Sequence, residues 1–234
     1  MGVRSSRPVD DFAELVNKGR PRPGQPEESY SKAKIEEGLN VVAKHLASKG
    51  LNVSIVTVGG AVNTVLLKSR ASTGDVDFFY CTKDSGAKDS NVVHEVMEAG
   101  KLAEKELKLG HQWLNNHTAI FIEETTINDL YEQAIKQNEK VFSAKGLTVY
   151  AAPWNYALMT KLDRAAKPGA KSYDMADVVD YLARLIESRG HTVKKSELGD
   201  WAKKYKLSAP PEALIDKLAR EYKDKKKKDG IISG

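Results

Sequence analysis

Two aspartates, Asp75 and Asp77, stand one residue apart in the run Asp75-Val76-Asp77-Phe78-Phe79-Tyr80-Cys81, whose other members are apolar or aromatic. That composition predicts a strand over 75–81, and side chains along a strand alternate between its faces. Asp75, Asp77 and Phe79 then share one face, with the two acidic Cα atoms about 7 Å apart from the rise per residue. Like charges held that close repel. A hard divalent cation such as Mg²⁺ relieves the repulsion, because it binds carboxylate oxygens together with substrate phosphates. Acidic residues are also poor strand formers. A strand that keeps two of them beside Val76, Phe78 and Tyr80 breaks a local rule, and such breaks tend to mark functional positions. A solvent-facing acidic strand fits the bare D-x-D equally well.

The residues upstream add chemistry. Val53-Ser54-Ile55-Val56-Thr57-Val58 is a β-branched run that predicts a buried strand. Gly59-Gly60 ends it, and 61–67 predicts a short helix. Glycines at that point let the backbone approach a phosphate, and a helix N-terminus offers unpaired N–H groups and partial positive charge. A phosphate cradle leading into a carboxylate strand is what metal-assisted phosphoryl transfer requires. Other nucleotide motifs are absent: Val58-Gly59-Gly60-Ala61-Val62-Asn63 lacks the G-x-G-x-x-G spacing, and the chain has no Gly-Lys-Ser or Gly-Lys-Thr run.

Further candidates lie on either side. Arg70, between the short helix and the acidic strand, can contact a phosphate or pair with an aspartate. Lys161, on a helix over 154–166, can act on a phosphate as a point charge. Asp174 and Asp177 are three apart on a helix over 173–188 and so share a face. Asp174 is placed to orient Lys161 or a nucleophile, whereas Asp177 reads as a first-turn acid favoured by the helix dipole. Asn63 and Ser72 read as helix-surface and turn residues. His45, His94, His111 and His117 lack zinc-site spacing. Cys81, the sole cysteine, reads as a small buried hydrophobe and excludes an internal disulfide framework. Trp113, Trp154 and Trp201 read as packing anchors, with base stacking the alternative for Trp154.

The elements that must position these groups follow from periodicity. Ile35, Leu39, Val42 and Leu46 share one face of a helix over 31–49, with Gly50 at its end. Helices are predicted at 91–108 and 127–137, and strands at Thr118–Ile122 and Leu147–Ala151. After Pro153 the pattern is helical: 154–166, 173–188, 196–205 and 211–224. The fold class is therefore α/β (α+β), a mixed sheet with flanking helices followed by a helical C-terminal half. Four segments result: a flexible arm at 1–28, broken by Pro8, Pro21, Pro23 and Pro26; an α/β core at 29–152; a helical region at 153–222; and a basic tail at 223–234. The net charge of +5 owes much to Lys223, Lys225, Lys226, Lys227 and Lys228. Such a tail reads first as solvated and disordered, and otherwise as a loose nucleic-acid contact or a localisation patch. No secretory leader and no apolar stretch of membrane-spanning length stands out, which points to a cytoplasmic protein, or a nuclear one through the tail.

Taken together, Val58-Gly59-Gly60-Ala61-Val62, Arg70, Thr73 and Asp75-Val76-Asp77-Phe78-Phe79 resemble the motif of the DNA polymerase β-like nucleotidyltransferase superfamily. The Arg-x-x-Thr-x-Asp-x-Asp form is most similar to the branch holding the AbiEii-type toxins. A second block, Ala157-Leu158-Met159-Thr160-Lys161-Leu162 followed by Asp174-Met175-Ala176-Asp177, resembles that branch's helical lysine and later Asp-x-x-Asp. Trp113-Leu114-Asn115 is similar to a short element of some relatives, although this chain continues with Asn116 where they carry an acid. The resemblance covers about 35–185. It implies that Asp75 and Asp77 bind Mg²⁺ or Mn²⁺. It implies that Gly59, Gly60, Arg70, Thr73 and Lys161 bind a nucleoside triphosphate, and that Asp75, Asp77, Lys161 and Asp174 form the catalytic set. The superfamily takes a third metal carboxylate from a later strand, for which Glu123 and Glu124 are the candidates. It also carries an arginine between the lysine and the aspartate, where Arg164 and Lys167 compete. The implied reaction moves a nucleoside monophosphate to a hydroxyl of RNA, tRNA or protein, in a toxin-like enzyme. The alternative is a nucleotide- or RNA-binding module of the same fold without catalysis.

Overall fold

The computed structural model describes residues 28–81 and 89–233, the side chains of 89–91 and of residue 124 aside. The first helix, α1 (Lys32–Ser48), is opened by Ser31, whose hydroxyl accepts the Lys34 N–H at 3.4 Å. Ile35, Leu39, Val42 and Leu46 lie fully buried along it, the face the periodicity predicts. Strand β1 (Tyr30–Ser31) precedes it and pairs with β3 (Ser72–Thr73).

The main sheet is mixed. It holds β2 (Val53–Val58), β4 (Val76–Phe79), β5 (Leu114–Asn115), β6 (Lys140–Ala144) and β7 (Leu147–Ala151) in the order β5-β4-β2-β7-β6. β2 runs antiparallel to β4 and parallel to β7, while β4 is parallel to β5 and β6 antiparallel to β7. Flanking helices are α2 (Asp89–Leu107) and α3 (Glu124–Gln137). The helical half comprises α4 (Trp154–Ala165), α5 (Asp174–Arg189), α6 (Lys195–Lys204) and α7 (Glu212–Lys226), with β8 (Val193–Lys194) and β9 (Ile231–Ile232) forming a small parallel pair. The fold is α+β, a mixed sheet with flanking helices and then a helical half, as expected. None of the helices among the described residues is long and apolar enough to cross a membrane.

One backbone bond marks where the chain passes from the sheet to the helical half. The Ala152 N–H reaches the Thr57 carbonyl at 2.9 Å, so the chain leaves β7 beside the end of β2 and turns there into α4. α4 then packs along α5, and α5 also packs against α7.

Four readings need correction. The acidic strand begins at Val76, which leaves Asp75 just outside it. The strand expected at Thr118–Ile122 is a 3₁₀ helix, His117–Phe121, with Ile120 and Phe121 exposed. The edge of the sheet is already taken by β5, and Asn116, at φ −111° and ψ 26°, turns the chain out of extended geometry before that run starts. Val92, Val96, Leu102 and Leu107 fall roughly on one side of the helix expected over 91–108, yet Leu102 is 39% exposed. Finally, the basic segment at 223–234 is folded through residue 233. Lys223, Lys225 and Lys226 complete the last turn of α7, where cations suit the helix dipole. They pair with Asp229 at 3.0 Å, with Asp180, and with Glu187 at 3.7 Å. Tyr222 is buried against Gly230, and Ile231 joins β8. The apolar residues Tyr222, Ile231 and Ile232 anchor the segment that its lysines made look like a tail. The expected N-terminal arm lies outside the described residues, apart from Glu28.

Candidate functional site

β2 ends at Val58 and is followed by Gly59, whose φ of +74° lies in the left-handed region that L side chains rarely adopt. The chain turns there into residues 60–61 and the one-turn π-helix Val62–Leu66. Gly60 is a close approach: a Cβ on it would stand 2.0 Å from Thr73 Oγ1 and 3.5 Å from Arg70 Nη1. The two glycines therefore have separate uses, one for the turn and one for letting Thr73 and Arg70 close on it.

The turn is braced from the helical half. The Tyr181 hydroxyl on α5 donates to the Gly59 carbonyl at 3.0 Å and to Asn63 Oδ1. Asn63 passes the brace on, donating from Nδ2 to Ser69 Oγ at 3.1 Å and accepting Ser69 and Arg70 N–H groups at its carbonyl, at 2.9 and 3.4 Å. Asn63 is thus fully buried and not a helix-surface residue; its side-chain amide is satisfied by the hydroxyls of Ser69 and Tyr181. Burial, and after it the Asp177 carboxylate, push the Tyr181 phenol well above its ordinary range, so the hydroxyl remains a donor.

Next to this turn lies a buried ion cluster. Arg70 grips Asp177 through a fork, Nε to Oδ1 at 2.9 Å and Nη2 to Oδ2. Lys161 Nζ stands 2.9 Å from Asp177 Oδ2 and 3.4 Å from Asp174 Oδ1. Arg164 Nε is 3.3 Å from the other Asp174 oxygen, which also accepts the Lys171 N–H at 2.8 Å. Asp174, Asp177 and Lys161 are all buried. Three cations against two carboxylates leave one formal positive charge. Charges taken this far from water persist only when paired and hydrogen-bonded. The Tyr173 ring lies over the Arg70 guanidinium, 3.6 Å from Cζ to the ring centroid.

The carboxylate pair abuts the same turn. Asp77 pairs with Val58 across β4 and β2, one residue before Gly59, and its carbonyl accepts the Thr57 hydroxyl at 2.7 Å. Asp75 and Asp77 are both half-buried. On the other side of β4, the residue in register with Asp77 is Asn115 of β5. Asn115 is fully buried, donates to the Gln112 carbonyl at 3.3 Å and accepts the His117 N–H at 3.1 Å. Glu123 sits at the N-cap position of α3, exposed, with its carboxylate paired to Lys206. The Glu124 side chain lies outside the described residues. Among the described residues, no three His, Cys, Asp or Glu side chains group as metal ligands.

The structure thus gathers Gly59, Gly60, Arg70, Thr73, Lys161 and Asp174 around one turn, with Asp77 adjoining it through the sheet. Arg164, rather than Lys167, is the arginine beside Asp174; Lys167 pairs with Asp163. Trp154 is buried against Tyr181 at 6.0 Å between centroids, so its rings pack inside the core. Cys81 is buried as expected, its thiol on Asn128 Oδ1 at 2.9 Å. The sequence reading set Asp177 aside and passed over Tyr173 and Tyr181. Asp177 does lie in the first turn of α5, but its side chain receives two cations. A signal was available: residues 174, 177 and 181 are spaced three and four apart, one stripe of a helix.

No curated protein and no solved structure matches the chain. The model of the family described as Domain of unknown function (DUF7582) matches residues 28–229, a span that takes in the sheet, the glycine turn and the helices that brace it. The chain therefore belongs to the DUF7582 family.

Proposed function

We propose that the chain is a metal-dependent nucleotidyltransferase that moves a nucleoside monophosphate from a nucleoside triphosphate to a hydroxyl acceptor, in RNA, tRNA or protein. The observation that supports this reading is the convergence at the end of β2. The glycine turn, the strand of Asp77 and a cluster with one excess positive charge meet there, from segments about a hundred residues apart.

Each part has a role in that reading. The Gly59-Gly60 turn offers backbone N–H groups to phosphate oxygens. The excess cationic charge, with Arg164 at its half-exposed edge, favours a polyanion. Lys161 and Arg70, fixed by Asp174 and Asp177, set the position of the wall that the triphosphate meets. Asp75 and Asp77 would hold Mg²⁺ or Mn²⁺. The fit is that of an ordinary Mg²⁺ site, which uses one or two carboxylates and leaves the remaining positions to phosphates and water. The bound ion would offset charge on the attacking and leaving oxygens. The acceptor hydroxyl attacks the α-phosphorus, the bond to the β-phosphate breaks, pyrophosphate leaves and the hydroxyl proton passes to water.

A second reading has an observation of its own. The position beside Asp77 on the neighbouring strand carries Asn115, an amide whose donor and acceptor are both engaged. This favours a module that binds a nucleotide without transferring it. Incubating the chain with labelled nucleoside triphosphates, Mg²⁺ or Mn²⁺ and total RNA separates the two. Label transfer that Asp77→Asn abolishes supports the enzyme. Mg²⁺-dependent nucleotide binding without transfer to RNA or protein supports the module. Absence of nucleotide binding sinks both.

A further inference from the structure

Tyr173 is the one exposed aromatic that touches the ion cluster among the described residues. It immediately precedes α5, at the end of the exposed loop 166–173. That loop is pinned next to the ring, because the Asp174 carboxylate accepts the Lys171 N–H at 2.8 Å. The Arg70 guanidinium occupies one face of the ring at 3.6 Å, and Lys161 Nζ is 5.8 Å from the centroid. The residue is nonetheless 39% exposed, so Arg70 covers only part of the ring.

A tyrosine in the first-turn region of a helix would ordinarily turn its ring along the surface. This one is held flat by an arginine that is itself fixed through a two-bond fork to the buried Asp177. The ring therefore has little orientational freedom to lose when a second planar group meets its exposed part. A cation on one face also draws on the ring quadrupole, which favours an electron-rich partner on the other. Purine bases are such partners, and base–aromatic stacking tolerates any base while favouring the larger ones.

Position decides what would stack. Arg70 Nη1 stands 3.5 Å from the Cβ position of Gly60, and Arg70 Cζ stands 3.6 Å from the Tyr173 ring. The ring and the glycine turn are thus one guanidinium apart, with the turn on one side of Arg70 and the partly exposed ring on the other. Resting on the nucleotide-handling reading given above, we propose that the exposed part of the Tyr173 ring is the platform on which the nucleobase of the bound nucleotide stacks, with purines preferred.

The test compares binding of ATP, CTP and inorganic tripolyphosphate, each with Mg²⁺, to the wild-type chain and to Tyr173→Phe, Tyr173→Leu and Tyr173→Ala. Calorimetry reads affinity and thermal unfolding confirms the fold. Tyr173→Phe is expected to retain ATP affinity. Tyr173→Leu, which still covers Arg70, and Tyr173→Ala are expected to weaken ATP by about tenfold. They should weaken CTP less and leave tripolyphosphate unchanged. Equal ATP affinity in all four proteins overturns the platform, as does a loss that strikes tripolyphosphate as hard as ATP, since that outcome assigns Tyr173 to holding Arg70. A wild-type chain that binds neither ATP nor tripolyphosphate overturns the underlying nucleotide reading and the platform with it.

Discussion

The molecule carries two aspartate pairs at one site, and their surroundings are opposite. Asp174 and Asp177 lie on a helix, fully buried, with Arg70, Lys161 and Arg164 around them. Asp77 lies in a strand beside the glycine turn and Asp75 just before that strand, both half-buried. A buried ion cluster holds only if every charge keeps its partner, so it behaves as a clamp that joins the helical half to the turn after β2. The strand pair is only half-buried, so altering it should cost less stability than altering the buried helix pair. Under the proposed function, identical residue types divide into positioning and metal-directed roles according to burial.

This division can be broken most sharply at Asp177. Replacing it with alanine leaves Arg70 and Lys161 as buried cations short of a partner, and should destabilise the fold by about 3–5 kcal/mol. Urea unfolding measures this, and a loss below about 1 kcal/mol would show that the clamp does not hold the halves together. Gly60→Ala comes next. Its Cβ would meet Thr73 Oγ1 at 2.0 Å and must push Thr73 aside, with an expected loss of about 1–3 kcal/mol. Unfolding of Gly60→Ala alongside Gly60→Ala/Thr73→Ala sharpens the point, because removing the Thr73 hydroxyl that the new Cβ meets should recover part of the loss.

Tyr181→Phe removes the hydroxyl that braces Gly59 and Asn63, and should cost about 1–2 kcal/mol. Its pH dependence has a definite sign. The phenol is raised in the folded state, so the wild-type advantage is complete below the ordinary tyrosine pKa of 10.0 and shrinks as the pH rises past it. Melting temperatures of the two proteins across that range should therefore converge.

How much of this was legible in the sequence depends on the element. The α1 face, the β2 run and the four helices after Pro153 declare themselves through period and punctuation, because each buries its apolar residues in one stripe. β5 and β8 are two-residue strands that no periodicity can reveal, and the run Ala119–Ile122 has strand composition but no sheet position left to occupy. At the site, glycines and acids are recognisable one by one. The pairing of Arg70 with Asp177 is not, because it spans 107 positions and depends on how two halves dock. Asn63 and Tyr181 were misjudged or missed for the same reason: a buried hydrogen bond between distant segments leaves no local pattern.

The account's central claim is that Asp75 and Asp77 are the metal-directed edge of a clamp built from Asp174 and Asp177. The most direct test is calorimetric titration of a non-hydrolysable nucleoside triphosphate analogue, with and without Mg²⁺, into the wild-type chain and into Asp75→Asn and Asp77→Asn. The account predicts Mg²⁺-dependent binding in the wild type and a loss of at least about tenfold in each variant, about 1.4 kcal/mol. Each variant should lose less stability than Asp177→Ala does. Equal affinity in all three proteins, or binding indifferent to Mg²⁺, would contradict it.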